Sequence, residues 1–411
     1  MFEIKGKFNT AKVFSDNREE KAVQQIRNLC NQDFVKGASI RIMPDYHFGA
    51  GCTIGFTADL GEKVVPNLVG VDISCGMLVV ELGKEKPNLE SLDEITHINI
   101  PSGFNSHKTA YVESQEIYDL TCYGELKKNK VFHRQIGTLG GGNHFIEVNI
   151  DNDENYYLVI HSGSRNLGKQ VADYHQSVAI NSLKGLGDLD KLISDLIKKL
   201  KKERKQRSIQ TEIKKLRKRF ADTKPTYQKD LCFVEGENRD NYLKDMGICQ
   251  RYASLNRYTM GNIIVARLSG KALSQFESFE TIHNYIDFKD NIIRKGAVSA
   301  YKGERLIIPL NMRDGSLLCV GKGNPEWNFS APHGAGRLMS RGQAKRELNL
   351  DKFKSEMKDV FSTTVSENTL DEAPMAYKSA EEIISQIGDT VDIIKQIKPI
   401  YNFKSDKKSR R

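Results

Sequence analysis

No stretch of this 411-residue chain approaches the roughly 18 to 20 consecutive apolar residues needed to cross a bilayer. A membrane-spanning helix is therefore not expected. The opening Met1-Phe2-Glu3-Ile4-Lys5 also lacks the apolar core of a secretory signal, so the expected location is the cytoplasm. Cysteine is sparse as well. The seven present (Cys30, Cys52, Cys75, Cys122, Cys232, Cys249, Cys319) are odd in number, widely spaced and free of any CxxC pair. That excludes a disulfide framework or a Cys-rich zinc module as the organising device. Internal repeats are absent, and no change of composition cuts the chain. Residues 1–411 are expected to form a single domain with a core of ordinary size.

Acid is in deficit relative to base. With 62 Lys and Arg against 53 Asp and Glu, the formal net charge is +9, a balance that favours polyanionic partners. The basic residues crowd into Lys198 to Arg219 and into a tail from Lys404 to Arg411. Nucleic-acid contact is one reading of each segment, and a solvated helix with a frayed terminus is the other.

Short strands and turns fill the first part: Ala38 to Pro44, Cys52 to Thr57, and Leu78 to Leu82. Residues 110–125 have helical character. Two further strands are expected near Phe145 to Val148 and Tyr157 to Ile160. Helical spacing then takes over between 189 and 220, with Leu189, Ile193, Leu196, Ile197 and Leu200 on one stripe and Ile209, Ile213, Leu216 and Phe220 on another. A two-helix insertion within the domain follows. Another helix is expected from about Asn241 to Leu268, strands return at Leu306 to Pro309 and Ser316 to Val320, and Ala380 to Ile397 again shows helical spacing. The class is α+β, mixed sheets with flanking helices.

Chemistry-bearing residues gather beside glycine. Asp72 and Cys75, in GVDISCGM, can face one metal, and a thiolate can bridge two; a turn-capping Asp with a small buried Cys explains the same residues. In GTLGGGNHFIE (Gly137 to Glu147) successive backbone amides can cup an anion beside Asn143 and His144, but neither a βαβ context nor a suitably spaced acid supports a dinucleotide fold. His161 ends an apolar strand. The Gly163 to Lys169 run after it imitates a P-loop, yet Gln170 stands where Ser or Thr must hold magnesium. His283 and His333 complete the set, and His47 either belongs to the same pocket or to a structural turn. His97, His107, His133 and His175 have no comparable setting. His333, in APHGAGR, can act as a nucleophile toward phosphorus, with Arg337 as a phosphate fork, or be an ordinary loop histidine. Three imidazoles with a carboxylate and a thiolate suit a two-metal site for which zinc, manganese, iron and cobalt are all chemically acceptable.

Taken together, six segments resemble the RtcB family of GTP-dependent RNA ligases: MPDYHFGAGCTIG (Met43 to Gly55), GVDISCGM (Gly70 to Met77), GTLGGGNHFIE, HSGSRNLG (His161 to Gly168), His283-Asn284 and HGAGR (His333 to Arg337), in the family's order. The resemblance implies that Asp72, Cys75, His144, His161 and His283 bind two manganese ions with Cys75 bridging, and that His333 takes GMP from GTP. It implies guanylate contacts from Asn143, His144, Phe145, Ile146, Glu147, His283, Asn284, Pro309, Leu310, Asn311, Met312, Ser316, His333, Gly334, Ala335, Gly336 and Lys404. The implied reaction joins RNA 3′-phosphate or 2′,3′-cyclic phosphate ends to 5′-hydroxyl ends, in RNA repair or tRNA processing, with room for an accessory activating protein. Two features depart from the pattern. Pro309-Leu310-Asn311-Met312 stands where many relatives have Pro-Gly-Ser-Met, and the basic segment 189–220 is outside the shared motifs. A metal-dependent phosphoesterase of RNA ends and a non-catalytic RNA-binding protein are the competing readings.

Overall fold

A computed structural model describes residues 1–185 and 189–406. Among them, a six-stranded sheet, a two-stranded ribbon and a seven-stranded sheet are flanked by helices, an α+β architecture. The seven-stranded sheet positions the site. Its strands lie in the order Arg305–Asn311, Gly315–Gly321, Val391–Phe403, Phe145–Ile150, Tyr156–Ser162, Gly76–Gly83 and Ser278–Ile282, every neighbour antiparallel. Alternation along Phe145–Ile150 sends Ile146 and Val148 into the core beneath the sheet and leaves Phe145 and Glu147 on the opposite face.

Helix Glu237–Ser269 holds the two main cores together. At 33 residues it is about 50 Å long, so it reaches from one sheet to the other. Its first half packs Tyr242, Met246, Ile248, Cys249 and Tyr252 into the core of the six-stranded sheet, and its second half packs Met260, Ile263, Ile264 and Val265 under the seven-stranded sheet. Buried positions on several faces explain why its apolar residues form no single stripe. Gly270, at φ 72°, ends it in the left-handed conformation that a side chain resists.

Two expectations fail locally. Residues 110–125 form two short 3₁₀ turns, Gln115–Asp119 and Tyr123–Glu125, because the amides of Thr121 and Cys122 between them bond to the Asp245 carboxylate instead of continuing a helix. In the stretch 380–397, only Ala380–Ile384 is helical, and strand Val391–Phe403 follows. Its Val391, Ile394 and Ile397 happen to fall at helical spacing, but they are β-branched and the strand has ladders to satisfy on both sides. The basic tail begins with Lys404 as a buried residue, and 407–411 lie outside the described residues. The seven cysteines are all buried and unpaired, and among the described residues no helix is long and apolar enough to cross a membrane.

Candidate active site

Four adjacent strands end in four potential metal ligands. His144 precedes Phe145–Ile150, His161 closes Tyr156–Ser162, Cys75 precedes Gly76–Gly83, and His283 follows Ser278–Ile282. Because neighbours run antiparallel, two strand starts and two strand finishes arrive at the same sheet edge. The His144, His161 and His283 rings converge there, 5.3 and 5.2 Å apart in turn. Cys75 Sγ lies 3.3 Å from His144 Nε2 and 3.1 Å from His161 Nε2, His161 and His283 approach through Nε2 at 3.4 Å, and Asp72 Oδ2 is 3.0 Å from His144 Nε2. A Cβ at Gly163 would collide with Asp72 Oδ1, so only glycine lets the carboxylate reach the row.

The donor set fits two divalent ions. Asp72, Cys75 and His144 form one group of three and Cys75, His161 and His283 another, so the thiol belongs to both. Donor atoms 3.0 to 3.4 Å apart are at the separation of ligands that share an ion at roughly 2.0 to 2.3 Å. The opposite nitrogens are already committed in two rings. His144 Nδ1 faces Leu139 O at 2.9 Å and His161 Nδ1 faces Asn143 O at 3.2 Å, contacts that fix the proton there and leave Nε2 as the lone pair. Burial, followed by the neighbouring histidines and the charges of Lys404 and Arg257, pushes His161 and His283 well below the usual histidine range, so both are neutral and able to donate a lone pair. Burial raises Asp72, but its hydrogen bond with His144, followed by the charge of Arg165, outweighs it and holds the carboxyl at about 2. Burial and the Asp72 charge drive the Cys75 thiol well up. A divalent cation bound there would favour the thiolate and offset both effects.

His333 stands next to this row, its ring 4.8 Å from that of His283. Asp45, fully buried, lies 2.7 Å from His333 Nδ1 through Oδ2, and the same oxygen accepts the His333 backbone N–H at 3.2 Å. A carboxylate on Nδ1 selects the tautomer whose Nε2 carries the lone pair. Gly336, at φ 76°, allows the loop to press against Asp45, since a Cβ there would sit 2.5 Å from its carbonyl oxygen. His47 also lines the cavity; burial, with the charges of His333 and Arg337 assisting, brings it down to about 4 despite its contact with Asp45 O.

The cavity that opens beyond His333 has a volume of about 310 Å³. Asp72, Cys75, Asn143, Phe145, Glu147, His161, His283, Asn284, Pro309, Leu310, Asn311, Met312, His333, Gly334, Ala335, Gly336 and Lys404 line it, which brings most of the residues singled out in the sequence to one cavity. Three expected residues do not. His144 lies behind them in the donor row, Ile146 is in the core below the sheet, and Ser316 is buried with an Oγ lacking a partner. Asn311 spends its side chain on its own hairpin turn: Oδ1 accepts from the amides of Arg313 and Asp314, and Nδ2 donates to Asp314 Oδ2. Lys404 Nζ lies 3.3 Å from Asn143 O and 3.4 Å from Glu372 Oε2. Arg337 donates to Glu372, the Tyr377 hydroxyl and two carbonyls, so most of its fork is occupied within the protein. Glu147 is raised to about 7 by burial, against the charge of Lys404 and the amides of Asn402 and Asn149.

Sequence reading missed the supports. Asp45 was inside a quoted motif yet unremarked. Glu372, Tyr377 and Arg341, which finish the cavity wall, come from regions without a motif. Most consequential is the pair Asn256–Arg257 on the long helix. Asn256 Oδ1 accepts from the amides of Gly137 and Thr138, its Nδ2 donates to Ser162 Oγ and Gly163 O, and Arg257 Nη1 donates to Ser74 O and Ser162 O. Polar residues at the middle of a helix buried on several faces were the available signal. These braces hold a strained neighbourhood, for Ser74, Arg165 and Asn284 all have positive φ (53°, 57° and 58°). A second Cys-His-Asp group, Cys122, His175 and Asp245, differs: its carboxylate is saturated by Thr121 N, Thr121 Oγ1, Cys122 N and His175 Nε2, and so acts as a clasp on the 121–122 turn.

Comparison with known proteins agrees with this geometry. The model of a family described as tRNA-splicing ligase RtcB matches residues 25–128 and 124–405. The RNA-splicing ligase RtcB of Escherichia coli (strain K12) is 30% identical over 420 residues, covering 93% of each chain. The tRNA-splicing ligase RtcB of Archaeoglobus fulgidus is 27% identical over 456 residues, covering 90% of this chain and 87% of the relative. With the match running through the donor row, the His333 loop and Lys404, the chain belongs to the RtcB family.

Proposed function

We propose that the protein is a GTP-dependent RNA ligase that joins 3′-phosphate or 2′,3′-cyclic phosphate ends to 5′-hydroxyl ends through a histidine–GMP intermediate on His333. It serves RNA repair or tRNA processing in the cytoplasm. The observation that carries this is the Asp45–His333 pair, a nucleophile with its tautomer fixed, placed against the donor row at the mouth of a nucleotide-sized cavity. Asp72, Cys75, His144, His161 and His283 would hold two manganese ions, which supply charge withdrawal at the nucleotide phosphates.

His333 Nε2 attacks the α-phosphorus of GTP, forming a P–N bond as the bond to pyrophosphate breaks. Asp45 keeps the Nδ1 proton and stabilises the positive charge that develops on the ring. An oxygen of the RNA 3′-phosphate next attacks the histidine-bound phosphorus, returning the electron pair to Nε2 and capping the RNA with GMP. The 5′-hydroxyl then attacks the RNA phosphorus and expels GMP. A cyclic phosphate end is first opened by water. Lys404, Arg337 and Arg341 surround the cavity with cationic groups suited to the nucleotide's charge.

Incubation with α-labelled GTP and manganese tests the reading. Acid-labile label on the wild-type protein, absent from His333→Ala, is expected. A phosphoesterase or a passive RNA-binding protein takes up none, and unlabelled wild-type protein with its metals loaded overturns the proposal.

A further inference from the structure

The net charge of this protein is located in one element. Residues 189–220 contain 13 Lys and Arg against four Asp and Glu, a net +9 equal to that of the whole chain, so the remaining residues balance at 49 of each sign. Helices Leu189–Lys202 and Ile209–Asp222 form this hairpin and pack chiefly on each other. Leu200, Ile213 and Phe220 are buried between them, and no large apolar side chain from 189 to 222 is among the exposed ones. Asp195, Glu203 and Glu212 each sit beside a lysine of the hairpin itself, leaving the cationic excess outward. At its root the chain leaves and returns at one point: Thr226 N donates to Leu183 O at 3.0 Å, and Lys184 Nζ to Phe220 O at 2.9 Å.

We infer that this hairpin is an arm that grips the RNA phosphate backbone away from the reacting ends; the identity of the polyanion rests on the proposed ligase function. Charge without an exposed apolar anchor suits a sequence-independent phosphate contact. A protein interface relies on buried aromatic anchors, and a membrane-surface helix presents an apolar face. Placement suggests the reach. Helix Arg165–Ser182 starts beside the donor row and ends at the hairpin root, 18 residues or about 27 Å away. At roughly 3.4 Å per nucleotide that is about eight nucleotides from the junction. Substrate strands shorter than this do not span the distance to the hairpin root.

The test uses the full chain, RNAs carrying a 3′-phosphate with about 6 or about 40 nucleotides, and the variant K201E/K202E/K205E. For the long RNA, affinity should fall at least tenfold at low salt, and the slope of log affinity against log salt should flatten by about 2, three contacts at roughly 0.7 each. Affinity for the short RNA and self-guanylylation should stay at wild-type levels, and the charge-retaining K201R/K202R/K205R should keep the wild-type slope. Unchanged long-RNA affinity and slope in the charge-reversed variant overturn the inference, as does equal weakening for both lengths. If that variant loses binding only to vesicles containing phosphatidylserine, the arm is a membrane contact and the inference again fails. Wild-type protein that binds long RNA through the arm but takes up no guanylate would sink the ligase reading and leave the arm standing.

Discussion

The donor row and the basic hairpin are built on opposite terms. In the row, five side chains from separate strands and loops meet within 3.0 to 3.4 Å of a neighbour, under a helix that braces three loops. In the hairpin, 13 cationic side chains surround a thin apolar seam, and the few local ion pairs, such as Lys198–Asp195 and Lys215–Glu212, leave most of the charge in excess. The first depends on where each atom is; the second depends on how much charge is present. Substitution should therefore act steeply in one region and gradually in the other.

The hardest blow to the row is Cys75→Ala. Because the thiol belongs to both donor groups, bound manganese by elemental analysis and guanylate uptake should be lost together; full metal content would refute the shared-ligand role. Asp45→Asn comes next. It keeps the shape but not the tautomer preference, so guanylylation should slow roughly 10²- to 10⁴-fold while GTP affinity stays within about twofold. Equal losses in rate and binding would mean that Asp45 only holds the loop.

Smaller effects probe the support. Asn256→Ala leaves the amides of Gly137 and Thr138 without their acceptor and should cost about 1 to 3 kcal/mol in denaturant unfolding. A neutral outcome would show that the brace is redundant. Glu147 gives a signal through pH. Raised by burial to about 7 from a reference of 4.5, it makes the native state hold more protons than the unfolded chain between those values. Its contribution to stability is full below about 4.5 and is lost as pH rises through about 7. Glu147→Gln should flatten the decline of nucleotide-free Tm over that window, and a parallel decline in the variant would assign the effect elsewhere.

The candidate donors were legible because they stand beside glycine turns in short motifs: Asp72 with Cys75, His144 after Asn143, His161 before Gly163. Their arrangement was not, since it follows from which strands are neighbours, and 391–397 read as the end of a helix although strand Val391–Phe403 is the third of the seven strands, paired on both sides. Alternation could have separated Ile146 from Phe145 and Glu147, as all three belong to one recognised strand. Asp45 and Arg257 escaped for another reason: each acts on residues far away in sequence, 288 positions to His333 and 183 to Ser74. Periodicity has no access to such pairs. Helices 189–202 and 209–222, whose contacts are local, were read nearly to their ends.

Helix Glu237–Ser269 also governs how the centre can be renewed. Since Asn256 and Arg257 sit between its two core-packed halves, the loops at 74, 137–138 and 162–163 cannot loosen without disturbing both cores. Their protected amides should exchange with solvent deuterium only at the rate of whole-molecule opening. Under the proposed function, ions and nucleotide then come and go without those loops opening, and a metal-starved protein should regain its ions without first unfolding.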